Sequence, residues 1–195
     1  MERALLKTMI LTMKHAYILL TALLLVPLGI LHATDINASG QLISATNLPD
    51  LSLQPAQILT EFGPDHVKSS RGAQGVPAIE RAADGRLWAA WYAGRSKRGV
   101  ESPSSYVVLA TSGDDGAHWK EKLVLQAPRL CHTYDPCLWV DPAGKLWFFW
   151  AQSAGLQDGR MGVWAMTTQE ANLESPNWSE PRRISNGVML NKPPC

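Results

Sequence analysis

An all-β repeat fold is what the sequence predicts, and three observations predict it. First, Asp84-Gly85-Arg86-Leu87-Trp88-Ala89-Ala90-Trp91 recurs as Ala143-Gly144-Lys145-Leu146-Trp147-Phe148-Phe149-Trp150, with Trp88 in register with Trp147 and Trp91 with Trp150. Upstream, Val76-Pro77-Ala78-Ile79 aligns with Asp135-Pro136-Cys137-Leu138 at the same offset. A long, fixed period marks a repeat architecture in which each repeat is one supersecondary unit. Second, the strand-length segments are apolar on both faces. Residues 86–92 set Leu87, Ala89 and Trp91 on one side and Arg86, Trp88, Ala90 and Tyr92 on the other. A strand covered on both sides reads this way. Third, turn signals separate the segments, Asp84-Gly85 foremost, since Asp-Gly between apolar runs marks a hairpin.

Regular structure is expected to begin near 57–62. A polar loop, 63–75, carries His66, Lys68, Arg71 and Gln74. Residues 77–81 read as a first strand, 82–85 as the turn and 86–92 as the return strand. A loop rich in Gly, Ser and charge follows at 93–105, then a third strand at 106–111, a turn at 112–119 and a fourth strand at 122–126. The second unit repeats the order, with strands at 136–140, 145–151, 162–167 and 182–185, and a loop at 152–160 between its second and third strands.

Each unit is thus a four-stranded antiparallel meander with two apolar faces, which it cannot bury alone. Radial stacking of several such units solves the problem, and the result is a β-propeller. A parallel β-helix has much shorter repeats, and a two-sheet sandwich would require an alternation that these strands lack. All eight tryptophans lie between Trp88 and Trp178, and most of them are expected to pack between blades. The alternative for any of them is sugar stacking, which needs a ring facing a cavity. A third unit opens at Asn191-Lys192-Pro193-Pro194, with Pro193 in the place that Pro136 holds in the second unit. Propellers have about four to eight blades. Two blades and the start of a third therefore imply that the remaining blades belong to a longer parent chain.

The N-terminal segment reads differently. Arg3, Lys7 and Lys14 precede an apolar run from Ala16 to Leu31, with small residues after it. This is the pattern of a secretory signal peptide, expected over 1–33, with Met13 as an alternative start. The run is short for a spanning helix, which needs about 20 apolar residues. An uncleaved anchor is the alternative. After cleavage no stable membrane span is expected, and the location is secreted or periplasmic. Removal of Glu2, Arg3, Lys7 and Lys14 with residues 1–33 turns the formal net charge from +1 to −1. Neither value carries the footprint of a nucleic-acid partner. Residues 34–56 are polar and aperiodic, a linker or extended arm before the propeller segment 57–195. Cys131, Cys137 and Cys195 do not make a disulfide framework. With His132 they lack the usual spacing of metal ligands, so neither a metal nor another cofactor is expected. Asn37-Ala38-Ser39 and Asn177-Trp178-Ser179 match the glycosylation acceptor pattern, which matters only in a eukaryotic secretory pathway.

One motif points to a family. Ser112-Gly113-Asp114-Asp115-Gly116-Ala117-His118-Trp119 fits Ser-x-Asp-x-Gly-x-x-Trp without a mismatch. Physically, the Asp114 carboxylate can cap amides of its own turn, Gly116 can supply a positive φ, and Trp119 can tuck beneath. Together with the repeat, this resembles the Asp-box of the sialidase (bacterial neuraminidase repeat) superfamily. The second unit keeps only Trp178 of the box. The resemblance covers about 63–194 and is closest to secreted, exo-sialidase-like bacterial proteins. It implies a six-bladed propeller and removal of a terminal sugar from a glycan. The family's site combines three arginines for a substrate carboxylate, an acid/base Asp, and a Tyr nucleophile paired with a Glu, the recorded exception to the two-carboxylate scheme. Gly75 stands where sialidases carry the first of these arginines, just ahead of the proline that opens the blade, and the nucleophilic Tyr lies late in the family chain, beyond Cys195.

In such an architecture the pocket is lined by the starts of first strands and by the loops joining second to third strands. The candidate acid/base groups are Glu101, Asp135 and Asp158, since a carboxyl in a dry pocket can move the proton that glycosyl transfer requires. The candidate substrate-binding residues are Arg71, Gln74, Arg95, His132, Arg160 and Lys192, with Lys97, Arg98, Tyr134, Gln152 and Asn191 beside them. Arginine suits a sugar carboxylate because it pairs bidentately. Each has a plainer reading: solvated loop charge for 95–98, turn caps for Asp135 and Asp158, a satisfied junction residue for His132. The expected function is exo-acting hydrolysis of a terminal sugar, acidic sugars among the candidates. The alternatives are a non-catalytic carbohydrate-binding propeller and an inactive truncated product.

Overall fold

The computed structural model describes residues 51–95, 104–154 and 160–187. These residues are mostly strand, in two antiparallel sheets. One sheet joins β1 (Gln57–Leu59), β2 (Ala73–Arg81), β3 (Leu87–Gly94), β4 (Tyr106–Ser112) and β5 (Lys120–Gln126) in the order β1-β5-β4-β3-β2. The other joins β6 (His132–Val140), β7 (Leu146–Ser153), β8 (Met161–Thr168) and β9 (Arg182–Asn186) in chain order. The fold is all-β, and every strand expected from the sequence is present. The first sheet gains a fifth strand because residues 57–59 pair along β5, with Ile58 opposite Leu125. Among the described residues no helix is long and apolar enough to cross a membrane.

The repeat extends to backbone detail. The first hairpin closes through Ala82 N to Arg86 O at 2.8 Å and Gly85 N to Ala82 O at 2.9 Å. The second does the same through Asp141 N to Lys145 O at 2.9 Å and Gly144 N to Asp141 O at 2.8 Å. Gly85 and Gly144 take φ of 97° and 80°, a region in which a Cβ would be strained. The loops are therefore longer than a two-residue Asn-Gly-type turn, with glycine at the left-handed position. β2 and β6 also begin earlier than the sequence suggested, at Ala73 and His132 and thus well before Pro77 and Pro136. Both cross a bulge, with register shifts between Gly75 and Ala78 and between Tyr134 and Cys137. A proline has no N–H to give the ladder, and a bulge accommodates it.

β6 packs against β2, β3 and β4, so the two sheets share one core. Trp88, Ala90, Tyr92, Leu109 and Leu125 face Tyr134, Leu138, Phe148, Trp150 and Met166 across it. Trp88 is wholly buried and its indole N–H donates to Ala171 O at 2.8 Å. Trp178 meets it edge-on at 5.9 Å and also touches Phe148 at 6.2 Å. The connection from β8 to β9 thereby reaches across to the first sheet. Arg86 Nε donates to Asn172 O at 2.9 Å, and Lys120 pairs with Glu174 at 2.9 Å. That pairing with Lys120 holds the Glu174 carboxyl below its ordinary value. Ser52 and Ala56, read from the sequence as the end of a polar arm, are buried, and Gln152 Nε2 donates to Gln54 O at 2.6 Å.

Trp88→Ala is expected to cost about 3–5 kcal/mol, since it empties a sealed site and abandons the Ala171 carbonyl. Ile79→Ala, at a side chain 61% exposed, is expected to change stability by less than about 0.5 kcal/mol. Urea unfolding monitored by fluorescence checks both.

Candidate functional site

The strand order puts two kinds of connection at opposite ends of the sheets. The tight turns β2–β3, β4–β5 and β6–β7 lie at one end. The connections β3–β4 and β7–β8 lie at the other, together with the starts of β2 and β6. Among the described residues, the candidates Arg95, His132, Tyr134, Asp135, Gln152 and Arg160 lie toward the second end, as do the bulges of β2 and β6.

At the bulges Val76 has φ of 44° and Asp135 φ of 43°. The two positions are equivalent in the repeat, and each precedes a proline. Left-handed backbone is costly for any residue with a Cβ, most of all a β-branched one. The same strain therefore recurs at equivalent points of neighbouring strands. Asp135 is nearly buried, at 9% exposure, on this left-handed backbone. Bulges commonly re-aim a side chain in this way, and strained backbone collects at functional sites. His132 and Tyr134 stack at 4.9 Å. Both are buried, and Tyr134 belongs to the shared core. At Gly75 a Cβ would stand 2.8 Å from Tyr92 Oη. The tyrosine occupies the space that a side chain at position 75 would need.

The other candidates lie apart. Arg95 pairs with exposed Asp65 at 2.8 Å, beside His66 and Tyr106, which meet edge-on at 4.8 Å. Arg160 is exposed just before β8, and Ala154 N donates to its carbonyl at 3.3 Å. Lys97, Arg98, Glu101, Asp158, Asn191 and Lys192 fall outside the described residues. Among the described residues no three His, Cys, Asp or Glu side chains come together as metal ligands do. Cys131 and Cys137 are buried thiols.

Arg71 and Gln74 are brought together elsewhere, on the outer face of the first sheet. Residues 60–72 form a strap from β1 to β2. Phe62 packs on this face with Tyr106, Val108 and Val124, and His66 bonds Gln126 at 3.0 Å. Arg71 ends the strap with a side chain only 1% exposed. Its Nη1 and Nη2 donate to Glu121 at 2.7 and 2.6 Å, a bidentate pair, and Nη2 also reaches His66 O at 2.7 Å. The guanidinium lies 6.0 Å from the Trp91 ring centroid, and Trp91 Nε1 donates to Gln74 Oε1 at 2.8 Å. These groups, with Lys68, Ala89, Ala110 and Trp119, line a cleft of about 500 Å³. Nothing in the sequence marks Trp91 or Trp119 as facing a cavity. The cleft exists because the strap folds over the sheet, and no local periodicity encodes that.

The turn 112–119 is a self-contained hydrogen-bonded knot. Ser112 Oγ donates to Asp114 Oδ1 at 2.7 Å and accepts from Gly116 N at 2.9 Å. Asp114 Oδ1 accepts from His118 N at 2.9 Å, and Oδ2 lies 2.6 Å from His118 Nδ1. Asp115 and Gly116 both have positive φ, 56° and 89°. Trp119 lies against Gly116 but is 41% exposed, so it flanks the turn and the cleft instead of tucking beneath. The second unit has a counterpart that its sequence hides. Glu170 N donates to Thr168 Oγ1 at 3.0 Å, and Glu170 Oε2 accepts from Asn177 N and Nδ2 at 2.8 and 3.1 Å. Thr168 and Glu170 close β8 with the same spacing as Ser112 and Asp114 close β4. A longer carboxylate in a longer loop organises that turn.

No family model matches this chain, and no curated protein matches it.

Two expectations follow. The hydrogen bonds from the His118 amide, the His118 ring and Ser112 hold the Asp114 carboxyl far below its ordinary 3.8. A depressed folded value gives stabilisation that is complete above the unfolded value and is lost as pH falls through the folded one. Asp114→Ala is thus expected to be less stable than the parent at neutral pH, with the gap closing below about pH 4. Thermal melts across an acid series check this, and a gap independent of pH would assign the cost to something other than the carboxylate. Separately, Val76→Gly is expected to raise stability by about 1 kcal/mol, the relief of left-handed strain less the entropy of an added glycine. Urea unfolding of that variant beside the parent measures the gain.

Proposed function

We propose that the chain is the opening part of a sialidase-type β-propeller, exported from the cell, whose parent protein removes a terminal sugar from glycans. The remaining blades then come from a longer parent chain. The backbone-level repeat of hairpin, bulge and capped turn supports the architecture, and the Ser112–Trp119 turn supports the family. One observation carries the activity: the strained, nearly buried carboxyl of Asp135 at the bulge, on the end of the sheets where the long connections gather.

In this reading Asp135 acts as acid/base. Its proton passes to the glycosidic oxygen as the bond to the anomeric carbon breaks, the sugar leaves its aglycone as an alcohol, and water completes the hydrolysis at the anomeric carbon. Glu101 and Asp158 are the candidates for the second group, because their connections leave from the same end as the start of β6. A non-catalytic glycan-binding role is the second reading. Gly75 favours it, since Tyr92 fills the place where a carboxylate-binding arginine would stand.

The test is turnover of a panel of chromogenic glycosides by the full chain and by its extended parent. Asp135→Asn is expected to lower kcat by about 10²–10⁴-fold while the far-ultraviolet dichroism stays unchanged. Undiminished turnover in that variant would remove Asp135 from the reaction. Glycan binding without turnover in the parent would leave the second reading.

A further inference from the structure

The connection from β5 to β6 turns at Pro128–Cys131, where Cys131 N donates to Pro128 O at 2.9 Å. Of its two central residues only Leu130 has a positive φ, 67°. That is a type II turn, whose third position calls for glycine or asparagine. A leucine there meets the Cβ clash of left-handed backbone. It gains little burial in return, because it is 51% exposed. Glycine would serve the fold better at this position, so what the leucine side chain adds is apolar surface and not stability.

Leu53 stands at the same end. Gln152, fully buried near the close of β7, donates its amide to the carbonyls of Ser52 at 3.3 Å and Gln54 at 2.6 Å. Ser52 is sealed, yet Leu53 between the two is 55% exposed. The buried amide grips the backbone on both sides of Leu53, so this leucine is held at the surface too. Both leucines flank the end of one strand pair. Leu130 lies just ahead of β6, and His132, the first residue of β6, pairs with Ser153 beside Gln152. Val76, also exposed and left-handed, stands at the bulge of β2, which packs against β6. Single apolar residues scattered over a surface need no explanation. Three at one end, two of them on strained backbone, do.

In the hydrolytic reading the terminal sugar lies inward, against Asp135, and its aglycone leads out past this end. Leu130 precedes Asp135 by at most about 16 Å of extended strand. We propose that Leu130 and Leu53 hold an apolar aglycone, an alkyl or acyl chain, so that the substrate belongs to the glycolipid class. Laying such a chain on the two leucines removes apolar area of both partners from water, and the gain grows with the area covered. The proposal rests on the hydrolytic reading for the direction in which the chain leaves the sugar. Binding of the chain itself requires no turnover.

Calorimetric titration of the full chain with methyl β-D-glucopyranoside and with octyl β-D-glucopyranoside, the latter kept monomeric, tests it, since only the chain differs between the probes. Saturable octyl binding, at least about tenfold tighter than methyl, is expected. Leu130→Gly is expected to weaken octyl binding about tenfold while its melting temperature equals or exceeds that of the unaltered chain, a combination that loss of structure does not produce. Leu53→Ser is expected to weaken octyl binding as well, with the far-ultraviolet dichroism unchanged. Octyl affinity no tighter than methyl in the folded, unaltered chain would overturn the proposal, and so would unchanged octyl affinity in Leu130→Gly. Octyl binding by a chain whose extended parent hydrolyses no glycoside would strike the hydrolytic reading and leave the two leucines as a glycolipid-binding site.

Discussion

The buried indole of Trp88 joins the two sheets, and much of the molecule depends on that junction. A meander with two apolar faces is unstable in water until both are covered, because leaving a large side chain exposed forfeits about 1.5–3 kcal/mol. Trp88 contributes the largest fully buried surface of the first sheet, yet its N–H must also find an acceptor. The Ala171 carbonyl supplies one, and that carbonyl belongs to the β8–β9 connection of the other unit. The apolar contact with Trp178 and the polar contact with Ala171 therefore come from the same loop. Glu170 holds that loop in shape from within. The β8–β9 connection of the second unit thus completes the core of the first.

Legibility in the sequence followed the range of the interactions. The strands were readable because two-sided apolar runs and glycine turns are local signals; Leu87–Gly94 and Leu146–Ser153 differ only slightly at their ends from the expected spans. The starts of β2 and β6 were not readable. Pro77 and Pro136 look like strand beginnings, and only the bulge geometry shows that pairing continues across them. The Ser112–Trp119 turn was readable because its hydrogen bonds close within the motif itself. The Glu170 loop was hidden because its capping partner, Asn177, lies further along the chain and the spacing departs from the first unit's. The strap was least readable, since Arg71 meets Glu121 across a long stretch of intervening chain. Of the candidate site, Arg71 and Gln74 were named from position alone, but their partners Trp91, Trp119 and Glu121 came from the sheet face.

The carboxylates separate by role along the strand axis. At the tight-turn end each has a structural partner. Asp84 accepts from Arg86 N, Asp115 pairs with Arg81, and Glu174 pairs with Lys120. Asp141 accepts from the Trp147 indole and from two backbone amides, which together hold its carboxyl below the ordinary value. Such bonds consume the lone pairs that acid/base chemistry would require. Asp135 sits at the other end, on strained backbone.

The two outer sheet faces make opposite demands on whatever lies beside them. That of the second sheet, built from Cys137, Phe149, Val163 and Ala165 with Trp139 and Trp147 at its margin, is apolar at its centre, with Lys145 and Arg182 over the Trp147 ring. That of the first is divided. The strap covers part of it, and the strap residues Lys68 and Arg71 line a cleft there with Gln74 and Glu121 of the sheet. Laying a dry sheet over those groups would strand a charge pair whose desolvation costs several kcal/mol per ion, and breaking the pair would be worse. Another sheet laid on this face would therefore rest on the strap and leave the cleft as a crevice beside it. Crevices between packed units are where ligand sites commonly form. A buried, bidentate Arg71–Glu121 pair is weak support for stability but a firm support for the ring of Trp91 beside it.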